Sequence, residues 1–223
     1  MSEDRRRKRG PQARAARNDH ALLEAARDVI AAEGAHASVS AIAARAGVGI
    51  GSLYRRYASK DALFQHLAVI SLDQHLHAAE EGLEHDDPWD GLAHYVTSAI
   101  SFGTAVLNPI AGTVDITDEM ADKNTRSDRA VEELVRRAHD AGVLRPDVTA
   151  VDIALLIEQL SRSPLTEQLG YQGRADLNAA ACNARSRIVA IALDGLRTGA
   201  PHALPGQPPG YELFTERWAR PER

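Results

Sequence analysis

Residues 38–57 admit very few folds. Ser38 is a residue type that caps a helix, and a short helix fits from there through Ala46, where Gly47 stops it. A second short helix fits Ile50 to Tyr57. The tight turn between them needs a residue tolerant of positive φ, which Gly47 supplies at no steric cost. The first helix needs a small residue where the second crosses it, and Ala43 provides one. Ile42, Ala46, Val48 and Leu53 then form an apolar seam that fixes the two axes at the steep angle of a helix-turn-helix. Leu22, Ala26, Val29 and Ile30 share one face of a preceding helix that ends at Gly34. Ser59 caps a long following helix lined by Leu63, Leu67, Ile70 and Leu76.

The rest of the chain reads as helix after helix. Pro88 opens one that Leu92, Val96, Ala99 and Ile100 carry toward Leu107. Residues 108–124 are mixed, with Pro109 and Gly112 as breakers. Ser127 to Ala141 reads as a helix closed by Gly142, and the run from Pro146 to Thr149 introduces another through Leu160. A last long helix fits Asp176 to Leu196, with Ile188, Ala192, Leu193 and Leu196 as its apolar face. From Gly199 onward prolines and glycines forbid regular structure. No strand pattern appears, and 39 alanines against ten aromatics favour helix over strand, so the fold class is all-α.

The net charge of −5 hides an asymmetry. Residues 1–66 balance at +5 and the remaining 157 at −10, the pattern expected when one end meets a polyanion. The densest part is Arg5, Arg6, Arg7, Lys8 and Arg9, whose bland alternative is a solvated leader. It runs into Gly10-Pro11-Gln12 rather than an apolar stretch, so no secretory signal is read there. No apolar run approaches the ~20 residues of a membrane span. The single Cys182 cannot form an intrachain disulfide, and the expected setting is the cytoplasm.

The second short helix has an outward face that is polar or small, as major-groove entry requires. Gly49, Ile50, Gly51 and Ser52 lie at its start, where base edges are approached. Ser52, Tyr54, Arg55, Arg56 and Lys60 suit phosphate oxygens, which set register rather than sequence. The run from Ala43 to Leu63, with its Leu53-Tyr54 and Ser59-Lys60 pairs, resembles the DNA-binding signature of TetR-type transcriptional regulators over residues 17–66. The resemblance implies that Ser38, Ser52, Tyr54, Arg55, Arg56 and Lys60 match phosphate-contacting positions. Ser40, Gly49, Ile50 and Gly51 lie at or near base-reading ones. Ile50 stands where the family often has lysine, and Gly49 where it often has Ser or Thr, so base readout by this helix is thin. An arm of Arg5 to Arg9 in the adjacent minor groove would compensate.

The resemblance divides the chain into a basic flexible arm (1–16), the DNA-binding domain (17–66), a helical ligand-binding and dimerisation domain (67–198) and a Pro/Gly-rich tail (199–223). Apolar surface on the last two long helices supports a homodimer through Ile153, Leu156, Ile157, Leu160, Ile188, Ile191, Ala192 and Leu196. Trp89, Tyr95, Phe102, Leu107 and Met120 are candidate walls of an effector pocket, and core packing explains them equally well. No cofactor or metal site is expected: Glu33-x-x-His36 straddles a helix stop, His75 and His77 point to different faces, and no catalytic set assembles. The expected function is a non-enzymatic regulator, a repressor released from double-stranded operator DNA by a small molecule, with no membrane partner. The alternatives are a constitutive DNA-binding dimer, or a helical ligand-binding protein or enzyme that retains the fold.

Overall fold

The computed structural model describes residues 19–30, 32–103, 115–199 and 202–212. Arg5 to Arg9 and Leu107 lie outside them. The head of the chain is α1 (19–30), α2 (Val39–Arg45) and α3 (Ile50–Arg56), followed by the long α4 (Lys60–Leu83). The body continues with α5 (Pro88–Phe102), α6 (Asp118–Asp140), α7 (Ala150–Ser161), α8 (Pro164–Tyr171) and α9 (Asn178–Leu196). Among the described residues there is no strand, only one isolated antiparallel bridge between Leu144 and Arg197. The all-α expectation holds.

Two hydrophobic cores form, and α4 contributes to both. The first gathers Leu22, Leu23, Ala26 and Ile30 of α1, Ile42 and Ala43 of α2, Leu53 of α3 and Leu63, Phe64 and Leu67 of α4. The second gathers Ala78 and Ala79 of α4 with Leu92, Tyr95 and Val96 of α5, Leu134 and Val135 of α6, Ile153 and Ile157 of α7 and Val189 of α9. At 24 residues, α4 is a rod of about 36 Å, long enough to serve both.

Where α4 and α5 cross, two glycines meet. A Cβ on Gly82 would lie 2.7 Å from the Gly91 carbonyl oxygen, and one on Gly91 would lie 2.3 Å from that of Gly82. Neither separation is possible for a real side chain, so the pair lets two backbones approach where any larger residue would hold them apart.

Boundaries departed from the sequence reading in the body. α6 starts at Asp118 rather than Ser127, because Thr117 accepts from the Met120 amide and Asp118 and Glu119 suit the first turn. Its early turns are too polar for periodicity to reveal them. α5 ends at Phe102 with Gly103 in the left-handed region, short of Leu107. The sequence reading assigned no helix to residues 164–171, where α8 begins with Pro164 in its first turn. Arg185 on α9 was also missed: its Nη2 donates to the carbonyls of Ile100, Leu160 and Ser161, tying the last turns of α5 and α7 to α9.

The close crossing makes a prediction. Gly91→Ala should destabilise the protein by about 1–3 kcal/mol, the usual cost of overpacking. Gly195→Ala, inside α9 with open space around it, should instead gain about 0.5–1 kcal/mol. Urea denaturation of both variants checks the contrast.

Candidate nucleic-acid interface

The reading head is held from within by backbone geometry. Ser38 Oγ accepts from the Ala41 amide at 3.1 Å and caps α2, while Ser40 Oγ lies 3.0 Å from Ser38 Oγ. The Ala46, Gly47 and Val48 amides donate to the Ile42, Ala44 and Ala43 carbonyls, closing the turn. Gly47 has φ +66°, and a Cβ there would meet no atom within 4 Å. The demand for glycine is therefore one of backbone conformation, not of space.

With the turn closed, α3 presents one face to solvent. Gly49, Ile50, Gly51, Ser52, Tyr54, Arg55 and Arg56 are all exposed, Tyr54 by 55%. Leu53 alone turns inward. Lys60 is half-buried at the start of α4, its ammonium 5.0 Å from the centre of the Phe64 ring. Arg55 donates to Ser52 Oγ at 3.0 Å. Arg56 instead pairs with Asp19 of α1, 2.6 Å from Nη1 to Oδ1. Every residue expected at the interface within the described part of the chain thus lies on or beside one surface formed by α2, α3 and the start of α4.

Other ion pairs, unforeseen in the sequence, fix the head to its surroundings. Arg45 of α2 donates to Asp28 of α1 through Nε and Nη2 at 2.8 and 2.6 Å. Arg27, buried in α1, donates to Glu24 at 2.7 Å and to Gln74 of α4 at 2.8 Å. Gln65 of α4 donates to the Asp115 carbonyl just ahead of α6. Lys123 and Arg126 of α6 pair with Asp73 and Glu80 of α4. Long-range partners of this kind carry no local sequence signal.

In the body, the expected pocket residues do not converge on one point. Trp89 is buried under the Arg197 guanidinium, 4.4 Å above its ring. Phe102 stands thirteen residues further along α5, about 20 Å away along the axis. Met120 is buried at the start of α6. Tyr95 lies at the centre, fully buried, with its hydroxyl 2.5 Å from His75 Nε2 of α4. Burial pulls His75 down to about 4 and pushes the Tyr95 phenol above its ordinary value. Both are neutral near pH 7. His75 is a polar interior residue that the sequence reading passed over as ordinary.

Of the expected dimer surface, Ile153 and Ile157 are a correction: both are closed inside the chain's own second core. Leu156, Leu160, Ala192 and Leu196 are half-buried. Ile188 and Ile191 of α9 are 54% and 66% exposed, large apolar side chains facing outward. Among the described residues no helix is long and apolar enough to cross a membrane.

Two family models match the chain. Residues 22–67 match that of bacterial regulatory proteins of the tetR family, and residues 87–198, half of the chain, match that of the SbtR-like transcriptional regulator C-terminal domain. The chain belongs to the TetR family of bacterial transcriptional regulators. Solved TetR-family structures share the fold over most of this chain. A regulator from Streptomyces coelicolor is 25% identical with a TM-score of 0.51, over 82% of this chain and 99% of that one. Another from Mycobacterium vanbaalenii is 26% identical with a TM-score of 0.53, over 84% and 99%. A third, from Marinobacter aquaeolei, shares the fold at 21% identity and a TM-score of 0.53, over 83% and 98%. No curated protein matches. The chain thus carries the helix-turn-helix domain of a TetR-family regulator, and the first core is its scaffold.

The His75 environment sets a pH dependence. A histidine held neutral to about pH 4 in the folded chain but titrating near 6.5 when unfolded makes the unfolded state bind more protons between those values. Stability contributed by this site is full above pH 6.5 and falls as pH drops toward 4, by about 3 kcal/mol at most. His75→Gln should flatten that acid limb relative to the unsubstituted protein, as read by urea midpoints at pH 7, 6, 5 and 4. An unchanged slope would contradict the buried neutral state.

Proposed function

We propose that the protein is a homodimeric repressor that occupies a double-stranded operator and is released by a small molecule bound in the body. The observation that carries this reading is the exposed face of α3, on which Ser52, Tyr54, Arg55 and Arg56 surround a glycine-flanked Ile50. The glycines allow the backbone close to base edges, and the polar groups suit phosphates on either side. Ser38 and Lys60 extend the phosphate-facing surface at its margins, and Ser40 lies nearer the base-reading positions. The Arg5 to Arg9 arm supplies further positive charge for an adjacent minor groove.

One helix-turn-helix offers little surface for tight binding, and two copies must meet successive major-groove faces about 34–36 Å apart. Exposed Ile188 and Ile191, with half-buried Leu156, Leu160, Ala192 and Leu196 on neighbouring α7 and α9, support a symmetric interface. Head separation then depends on α4, which ion pairs tie to α6. A ligand that favours a different packing of these helices shifts the population away from DNA by no more than its differential affinity. The neutral Tyr95–His75 pair is the polar centre of this region and the natural anchor for such a ligand. The proposed boundary between a head of 17–66 and a body of 67–198 falls within α4, whose Leu67 still packs in the first core.

Fluorescence anisotropy against promoter DNA tests the reading. If six to ten phosphates are neutralised, affinity should fall roughly 10³–10⁵-fold between 50 and 200 mM salt. Tyr54→Ala and Lys60→Ala should each weaken binding to all duplexes alike, since phosphate contacts carry no base information. A selective change of base preference would assign those residues differently. Ile188→Glu with Ile191→Glu should convert the dimer to monomer in sedimentation velocity and abolish tight operator binding. A dimer that survives both charges would place the interface elsewhere.

A further inference from the structure

Arg56 is the one residue of the reading face that the structure holds in a bidentate ion pair. Its Nη1 lies 2.6 Å from Asp19 Oδ1, and its Nη2 donates to Oδ2 at 3.0 Å. The guanidinium also lies 5.2 Å from the centre of the Tyr57 ring. The fork that fits a carboxylate in this way fits two phosphate oxygens equally well. Arg56 ends α3 with its side chain 43% exposed, on the helix that presents Ser52, Tyr54 and Arg55 to solvent.

The seat around Asp19 is otherwise poorly satisfied. Tyr57 Oη and His66 Nε2, beside the pair, are buried atoms without a hydrogen-bond partner among the described residues. His66 Nε2 stands 3.8 Å from Asp19 Oδ1, beyond hydrogen-bond reach, with its ring 5.2 Å from that of Tyr57. Two unpartnered polar atoms beside one ion pair describe a seat that the guanidinium does not saturate. Buried polar groups ordinarily find partners, so the surroundings of this pair are not fully satisfied by it. When the guanidinium leaves, His66 remains as the neighbour of the carboxylate.

We infer that Asp19 stands in for a DNA phosphate in the free protein, holding Arg56 ready on the reading face and yielding it to the sugar–phosphate backbone on binding. Asp19 is thereby a positioning residue that sets the affinity of the head without touching DNA. The inference rests on the DNA-binding reading above and adds a regulatory cost to it: each head must break one ion pair to gain one phosphate contact. A partly exposed pair of this kind is worth up to about fivefold in equilibrium, and two heads double its logarithm.

The test is a double-mutant cycle on the full-length dimer. Its probe is a fluorescein-labelled 30-base-pair duplex of arbitrary sequence at 50 mM salt, because phosphate contacts need no operator. Asp19→Asn, near-isosteric but uncharged, should tighten binding about three- to tenfold. In the Arg56→Gln background the same substitution should change binding less than twofold. Asp19→Ser serves as a second variant, and circular dichroism melting confirms that each is folded. A gain that persists undiminished without Arg56 would mean that Asp19 acts only through general charge, and would overturn the inference. A folded Asp19→Asn variant that binds more weakly would overturn it too, making the pair a structural tie. If the unsubstituted protein fails to bind the duplex at all, the DNA-binding reading falls first and takes this inference with it.

Discussion

The structure depends on α4 being one uninterrupted rod shared by two cores. Its first turns close the head through Leu63, Phe64 and Leu67, and its later turns close the body through Ala78 and Ala79. α4 contains no proline to kink it, so a shift of its body end is carried along the rod toward the head. Ser59 makes the rod start where it does, accepting from the Ala62 amide at 3.0 Å. The Gly82–Gly91 contact fixes the far end against α5. Between these points Asp73 and Glu80 pair with Lys123 and Arg126 of α6.

This arrangement explains how an acidic chain can carry a DNA-reading surface. Positive charge is concentrated in the first 66 residues, and the body beyond carries an excess of carboxylates. Some of its carboxylates lie in surface ion pairs along α6, such as Glu133 and Asp140 with Arg136, that contribute little to stability. The C-terminal segment is also more than a loose end. Arg145 donates to the His202 carbonyl at 2.8 Å, Leu204 donates to Asp147 at 2.7 Å, and Tyr211 donates to Glu132 of α6 at 2.8 Å. Residues 202–212 thus run back along the body, held by polar contacts despite their prolines and glycines.

What was legible in the sequence was what short-range physics controls. Ser38, Ser59 and Gly47 announced caps and a turn by residue type alone, and the structure places each in that role. The outward face of α3 followed from Leu53 being its one inward position. What was not legible depended on distant partners. Ile153 and Ile157 look like interface residues in a one-dimensional pattern, and only the packing of α5 and α6 against α7 shows that they fill the chain's own core. Arg56 read as a free phosphate contact because Asp19, thirty-seven positions earlier, leaves no trace in its neighbourhood. His75 looked like an ordinary histidine until α5 brought Tyr95 against it. The start of α6 was hidden because its first turns face solvent on three sides, so capping chemistry, not hydrophobic period, marks it.

The central claim is that two copies of α3 read one DNA site in register. Footprinting of the protein on fragments selected from its own genome measures this most directly. The account predicts sequence-specific protection of an inverted repeat, with half-site centres one helical turn, about 10–10.5 base pairs, apart or a multiple of it. Protection without sequence preference, or of a single isolated half-site at saturating protein, would contradict it.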